Sequence, residues 1–314
     1  MNYPKEYFQK EVIEGFEVSE MMKRCWAAQM EVLETFDAIC KKHSIRYFFA
    51  YGSLIGAVRH KGFIPWDDDI DIWMMPGDLD KLINETAEDF AAVGLELVTP
   101  FSDKEFGNIV YRLINTRNYC LRENFLKKYW LFPFMAGLDI MTLNYLPRNE
   151  KKRKELETLM GSAWWVAENW NNPHLPEKEK VEVYYQLMEK IGKKPAKKDD
   201  IPNHLWKMVN YIGGMCQEKD ADMMTIWGNY LHNPAIKFSK KCFEKTVYLD
   251  FDMAKVPCPE GYDEVLTAMY GPNYMTPRKW TAAHDYPYYK DAHARLMSDF
   301  NELGINCPAI FKSL

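Results

Sequence analysis

Four aspartates crowd into the run IPWDDDIDIW, at Asp67, Asp68, Asp69 and Asp71, closed in by Ile64, Trp66, Ile70 and Ile72. On a strand, successive side chains point to opposite faces, so Asp69 and Asp71 share one face while Ile70 and Ile72 share the other. Two carboxylates standing side by side raise each other's pKa and cost stability unless a cation sits between them. Oxygen-only ligands of this kind suit Mg²⁺ or Mn²⁺. A solvated acidic turn is the simpler account of three aspartates in a row, but the alternation with isoleucine makes the strand half buried. Asp67 lies in the approach turn as a candidate outer ligand, and Asp68 reads as solvated.

Upstream lies YGSLIG, a strand end followed by Gly-Ser and the start of a helix. Gly52 lets the backbone come close to a ligand, and Ser53 with the first helical N–H groups offers donors to an anion. A phosphate cradle thus faces a metal cradle. That is the arrangement phosphoryl or nucleotidyl transfer needs, because a metal ion offsets charge on the transferring phosphate and polarises the attacking oxygen. Arg59, His60 and Lys61 follow the helix and are candidates to neutralise a diphosphate, Arg59 first because a guanidinium fork suits phosphate.

Several elements must position these groups. Residues 19–43 place Met22, Trp26, Leu33, Phe36 and Cys40 on one face of a long helix that should pack on a sheet. RYFFAY reads as a buried strand, SLIGAVRH as a short helix capped near Ser53, and DIDIWM as a second strand. LELVTP, NIVYRLI and LDIMTLNYL are further strands, so strands and helices interleave through residues 1–147. The texture is helical from 148 to 241. From 242 to 314 a strand, TVYLDF, and a helix, GYDEVLTAMYG, indicate a return to the first region.

Forty basic and forty-five acidic residues give a net charge of -5, without the basic excess of a protein that grips nucleic acid through its phosphates. No stretch approaches the roughly 18 uncharged apolar residues of a membrane span, so a cytoplasmic chain is expected, with peripheral membrane contact still open. Seven cysteines without a C-x-x-C pair suit reduced, mostly buried thiols.

The stretch YGSLIGAVRHKGFIPWDDDIDI resembles the signature of the LicD/fukutin family, a branch of the nucleotidyltransferase superfold. Weaker similarity extends to GLDIMTLNYLP, which contains Asp139 between Leu138 and Ile140, and to YGPNYMTP. Residues 150–240 carry no motif of the family. The resemblance implies an α+β fold, a nucleotidyltransferase-like mixed sheet flanked by helices with a helical insert. It implies metal-dependent transfer of a phospho-alcohol, phosphocholine first, from a CDP-activated donor to a sugar hydroxyl of a cell-surface glycoconjugate, with a saccharide or lipid-linked glycan as acceptor. Carried over residue by residue, Gly52, Ser53, Arg59 and Arg112 meet the donor phosphates. Asp69, Asp71 and Asp139 become the catalytic carboxylates, with Asp67 an additional ligand for Mg²⁺ or Mn²⁺. Asp139 either ligates a second metal or accepts the acceptor's proton, the second role being preferred because it arrives on a separate strand.

Two other readings fit the same residues: nucleotidyl transfer to a small phosphorylated or sugar acceptor, and a catalytically silent saccharide-binding protein. Trp164, Trp165, Trp170, Tyr184 and Tyr185 could cage a quaternary ammonium, although aromatics at helical spacing are more often core. His284, in KWTAAHDYPYY, is a candidate substrate contact.

Overall fold

The computed structural model describes residues 1–279 and 286–312; His284 lies outside them. A hairpin, β1 (Glu11–Ile13) and β2 (Phe16–Val18), leads into the long helix α1 (Glu20–Lys42). Ser19 caps α1, its Oγ accepting the Met22 N–H at 3.1 Å, a contact worth about 1 kcal/mol. Glu20 in the first turn and Lys41 and Lys42 in the last complement the helix dipole. Met22, Trp26, Leu33, Phe36 and Cys40 are all buried, as their spacing requires.

Next come β3 (Phe48–Phe49), α2 (Tyr51–Ile55), β4 (Asp71–Met74), α3 (Pro76–Glu85), α4 (Ala87–Ala92), β5 (Glu96–Val98), β6 (Tyr111–Ile114), α5 (Glu123–Lys128) and β7 (Gly137–Thr142). The strands form a five-stranded sheet in the order β3-β4-β7-β6-β5. Strands β4 and β7 run parallel at its centre, and the other neighbours pair antiparallel. The face that carries Ile70, Ile72, Leu138 and Ile140 packs into the core, and these side chains are nearly inaccessible. Helix α1 packs against β7. The fold is α+β.

The run LDIMTLNYL, read as one strand, is two. After Leu143 the chain enters β8 (Asn144–Pro147), which leaves the first sheet for another. Helices α6 (Glu150–Asn169), α7 (Glu177–Ile191) and α8 (Ile201–Gly213) follow, then β9 (Ala221–Thr225), α9 (Trp227–His232) and β10 (Phe238–Ser239). They enclose a second apolar core that includes Leu146, Met160, Tyr184, Leu205, Val209 and Trp227. This lobe is less helical than its sequence texture suggests, because ADMMT pairs with β8 in a three-stranded sheet ordered β10-β9-β8. The hairpin β11 (Thr246–Phe251) and β12 (Ala254–Pro259) then packs on β3, α10 (Tyr262–Tyr270) on α2, and α11 (Lys290–Glu302) follows.

Among the described residues no helix is long and apolar enough to cross a membrane. All seven cysteines are free thiols, six of them buried.

Candidate functional site

The acidic turn is fixed through its backbone. From α1, Trp26 Nε1–H donates to the Asp67 carbonyl at 3.0 Å, and Gln29 Nε2–H donates to the Asp68 carbonyl at 2.6 Å. The Asp71 N–H donates to Ser53 Oγ at 2.9 Å, and the Asp71 carbonyl accepts the Ala50 N–H at 3.0 Å. One strand over, the Asp139 N–H bonds the Ile70 carbonyl at 2.9 Å. The carboxylates are therefore presented by a rigid backbone while their own oxygens face one another.

Asp71 and Asp139 are partners in the parallel β4–β7 register, so their side chains stand on one face at neighbouring-strand spacing. Asp67, Asp68 and Asp69 bring one oxygen each within 4.8 Å of the others. Burial, then Asp69, Asp139 and Asp67, push the Asp71 carboxyl well above the usual carboxylate range. Burial, then Asp69 and Asp68, do the same to Asp67. Hard oxygen donors that repel one another this strongly fit a divalent cation of the Mg²⁺ class. Asp69, Asp71, Asp67 and Asp139 are the residues that would hold it.

Asp68 is not solvated. It is 1% exposed, and its Oδ2 accepts the Tyr288 N–H at 2.7 Å, which ties the acidic turn to the segment before α11. Ser53 is buried as well, with its hydroxyl occupied by the Asp71 N–H. Its visible task is to lock α2 onto β4, so the anion-binding reading of this turn leans on Gly52. At Gly52 a Cβ would lie 2.2 Å from Asp67 Oδ2: the missing side chain makes room for the carboxylate. Gly52→Val should displace Asp67 and weaken divalent-cation and donor binding about tenfold or more, while acceptor affinity holds. Calorimetry on each ligand checks this, and equal loss of all three would signal a folding defect.

Helix α2 continues as a wide π-helical turn, Gly56–His60, a form frequent at functional sites. Gly56 is obligatory there, since a Cβ would meet the Gly62 carbonyl oxygen at 2.5 Å. Arg59 Nη1–H donates to the Tyr274 carbonyl at 2.7 Å. Arg59 thereby lines a cavity of about 170 Å³ together with Gly52, Asp67, Tyr270 and Arg278. The YGPNYMTP run thus closes over the Gly-Ser turn. Burial, then Arg59, push His60 below its ordinary pKa, so at neutral pH it adds no charge. Lys61 is exposed, in a left-handed conformation.

On the other side of the carboxylates, Arg112 sits opposite Asp139 in the β6–β7 register and donates Nε–H to Asp139 Oδ1 at 3.1 Å. A cavity of about 280 Å³ there is lined by Asp69, Arg112, Asp139, Tyr288 and Lys290. From the sequence Trp26 was legible only as part of the buried face of α1, and Gln29, Tyr288, Arg278 and Lys290 were not singled out. The adjoining KWTAAHDYPYYKD and MTPR runs flank the YGPNYM element, and that position was the available signal.

Of the five aromatics considered as a cage, Trp170 and Tyr185 each pack edge-on against Tyr184. Tyr184 is fully enclosed and hydrogen-bonded to His204 Nδ1 at 2.9 Å, Trp165 and Tyr185 are exposed, and Trp164 lines a different cavity at the lobe junction.

The pH dependence follows from the raised carboxyls. In the unfolded chain Asp67 and Asp71 titrate near 3.9, whereas in the fold they hold their protons to higher pH. The native state binds more protons, so stability is lost as pH rises from about 4 through the raised folded values. Metal-free protein should melt higher at pH 5 than at pH 8, and Mg²⁺ should raise Tm more at pH 8 than at pH 5. Differential scanning calorimetry with and without chelator reads both.

Carboxylates converge from two parallel strands and a preceding turn, beside a glycine-led helix turn on a mixed sheet. Residues 44–157 match the family described as LicD/FKTN/FKRP, nucleotidyltransferase domain. It is similar to the lipopolysaccharide cholinephosphotransferase LicD of Haemophilus influenzae, 41% identical over 75 residues that cover 20% of this chain and 28% of that one. It is also similar to an uncharacterised protein of Rickettsia prowazekii, 42% identical over 48 residues that cover 15% of this chain and 18% of the relative. An uncharacterised protein of Rickettsia typhi matches at 42% over 48 residues, 15% of this chain and 16% of its own length. The chain spans less than a third of the length of the curated relatives it matches.

Proposed function

We propose that this chain transfers a phospho-alcohol, phosphocholine first, from a CDP-activated donor to a sugar hydroxyl of a glycoconjugate. The observation that carries the reading is the register pairing of Asp71 with Asp139 beside the Asp67–Asp69 cluster. The family match and the likeness to a cholinephosphotransferase support it. A bound divalent cation would offset the charge of the donor diphosphate and lower the pKa of the attacking hydroxyl.

The chain's own groups do the rest. Arg59 and Arg278, in the cavity next to Gly52 and Asp67, attract and orient the diphosphate. Burial, with Asp71 close by, keeps the Tyr270 phenol protonated as a donor to the phosphate oxygens. Arg112 holds the Asp139 carboxylate in place from the other side. The acceptor oxygen attacks the phosphorus of the alcohol phosphate, the bond to CMP breaks, and the hydroxyl proton passes to a carboxylate of the cluster.

A calorimetric screen of CDP-choline, CDP-ribitol, CDP-glycerol and CDP-ethanolamine, with and without Mg²⁺, tests the donor. One of them should bind, and only when the cation is present. Product analysis with a labelled donor should show CMP released and the alcohol phosphate on the sugar. Cytidylate on the acceptor instead would mean nucleotidyl transfer, and no binding of any donor would favour a silent saccharide-binding protein.

A further inference from the structure

Between the five-stranded sheet and the helical lobe lies a cavity of about 310 Å³ that none of the groups above uses. Its lining includes Tyr51 and Met141 from the sheet side and Trp164, Asn210, Trp227 and Asn229 from the lobe. Met141 lies two residues beyond Asp139 on β7 and so on the same face, roughly 6.6 Å further along the strand. Tyr51 directly precedes Gly52. Met141 thus sets one wall of the cavity on the strand face that carries Asp139.

The chemistry of the lining selects the ligand. No Asp, Glu, Lys or Arg is present among the residues that form it. A phosphate would find no lysine or arginine, and besides His232 the polar groups of the lining are neutral amides and hydroxyls, which suit a hydroxyl-rich, uncharged ligand. Asn108, Asn144, Asn210 and Asn229 supply amide donors and acceptors beside the aromatic faces of the two indoles. The buried indole N–H groups of Trp164 and Trp227 have no hydrogen-bond partner among the described residues. Buried donors without acceptors are rare in folded proteins, and a partner that arrives with the ligand accounts for them. Apolar C–H faces for indoles, with hydroxyls all round for amides and N–H groups, describe a pyranose.

Tyr51 joins this cavity to the carboxylates. It holds a left-handed φ of 42°, strained for a residue with a large side chain, with its ring 5.1 Å from Trp73 and its hydroxyl donating to Asn229 Oδ1 at 2.5 Å. The lobe therefore reaches across the cavity to the residue that sets the Gly52 turn.

We propose that this junction cavity is the acceptor subsite, which binds an uncharged sugar ring with one hydroxyl directed toward Asp139. The assignment rests on the transfer reaction proposed above for what the sugar is there to do, but not for its binding. The full chain is titrated with the methyl glycosides of glucose, galactose, N-acetylglucosamine and N-acetylgalactosamine by ligand-observed NMR and tryptophan fluorescence, with choline as competitor. At least one glycoside should bind, Trp227→Phe and the less buried Asn210→Ala should each weaken it tenfold or more, and choline should not displace it. Asp71→Asn should bind it as the unmodified protein does. The assignment is overturned if no glycoside binds, if both cavity variants bind like the unmodified chain, or if choline competes. If a glycoside binds in this pattern yet receives nothing from any CDP-donor, the reaction fails and the subsite stands. Transfer whose acceptor KM is unmoved by Asn210→Ala removes the subsite and leaves the reaction.

Discussion

Asp71→Asn is expected to give a folded protein without transfer activity. The aspartate's backbone contacts to Ser53 and Ala50 are untouched by the change, so β4 keeps its place. The carboxylate is disfavoured in the fold by burial and by Asp69, Asp139 and Asp67. Replacing it with a neutral amide relieves that repulsion, and the Tm of metal-free protein at pH 8 should hold or rise by about 2 °C. Transfer should fall by on the order of 10³ or more, the scale of losing a preorganised electrostatic partner of the transition state, and divalent-cation affinity should fall with it. Calorimetric unfolding, a Mg²⁺ titration and an initial-rate assay on this one variant are enough. A residual rate above a few per cent would remove Asp71 from the site.

Asp139→Asn carries the second large effect and separates two roles. A carboxylate that takes the acceptor's proton should leave metal and donor binding near normal and cut single-turnover transfer by about 10² to 10⁴. The separate-strand argument favoured that role. The register points the other way: Asp139 is the direct neighbour of Asp71, and the shared face is where a single cation would be gripped by both. The expected result is a joint loss of cation affinity and transfer, with partial rescue by excess Mn²⁺ because an amide oxygen still coordinates weakly. Normal cation affinity with slow transfer would restore the proton-acceptor role. Unmodified behaviour in both would leave Asp67 as the remaining third carboxylate.

What could be read from the chain follows the range of the interactions involved. The alternation DIDI, the helical spacing from Met22 to Cys40 and the Gly-Ser turn are local patterns, and β4, α1 and α2 appear where those patterns lie. Asp68 was misjudged because its burial depends on Tyr288, 220 positions away. Gly52 was legible as a close approach, but its nearest neighbour, Asp67, is the product of the fold. The strand ADMMT is flanked by helical texture, and its partner β8 is fixed by a long-range pairing that no local window contains. The junction cavity draws its walls from several separate segments, none of which carries a motif.

The single-residue passage at Leu143 has a practical meaning for anyone who wishes to exchange the helical lobe between relatives. Strand β8 belongs by hydrogen bonding to the lobe, not to the sheet of β7, and β9 and β10 complete it. A graft cut at Pro147 would leave β8 behind as a bare edge, open to pairing with another chain and to aggregation. The exchangeable unit runs from Asn144 to Ser239, with seams at the hinge after Thr142 and before the turn that opens at Lys240. A chimera built on those seams keeps every strand with its partners and moves the lobe wall of the junction cavity as one piece.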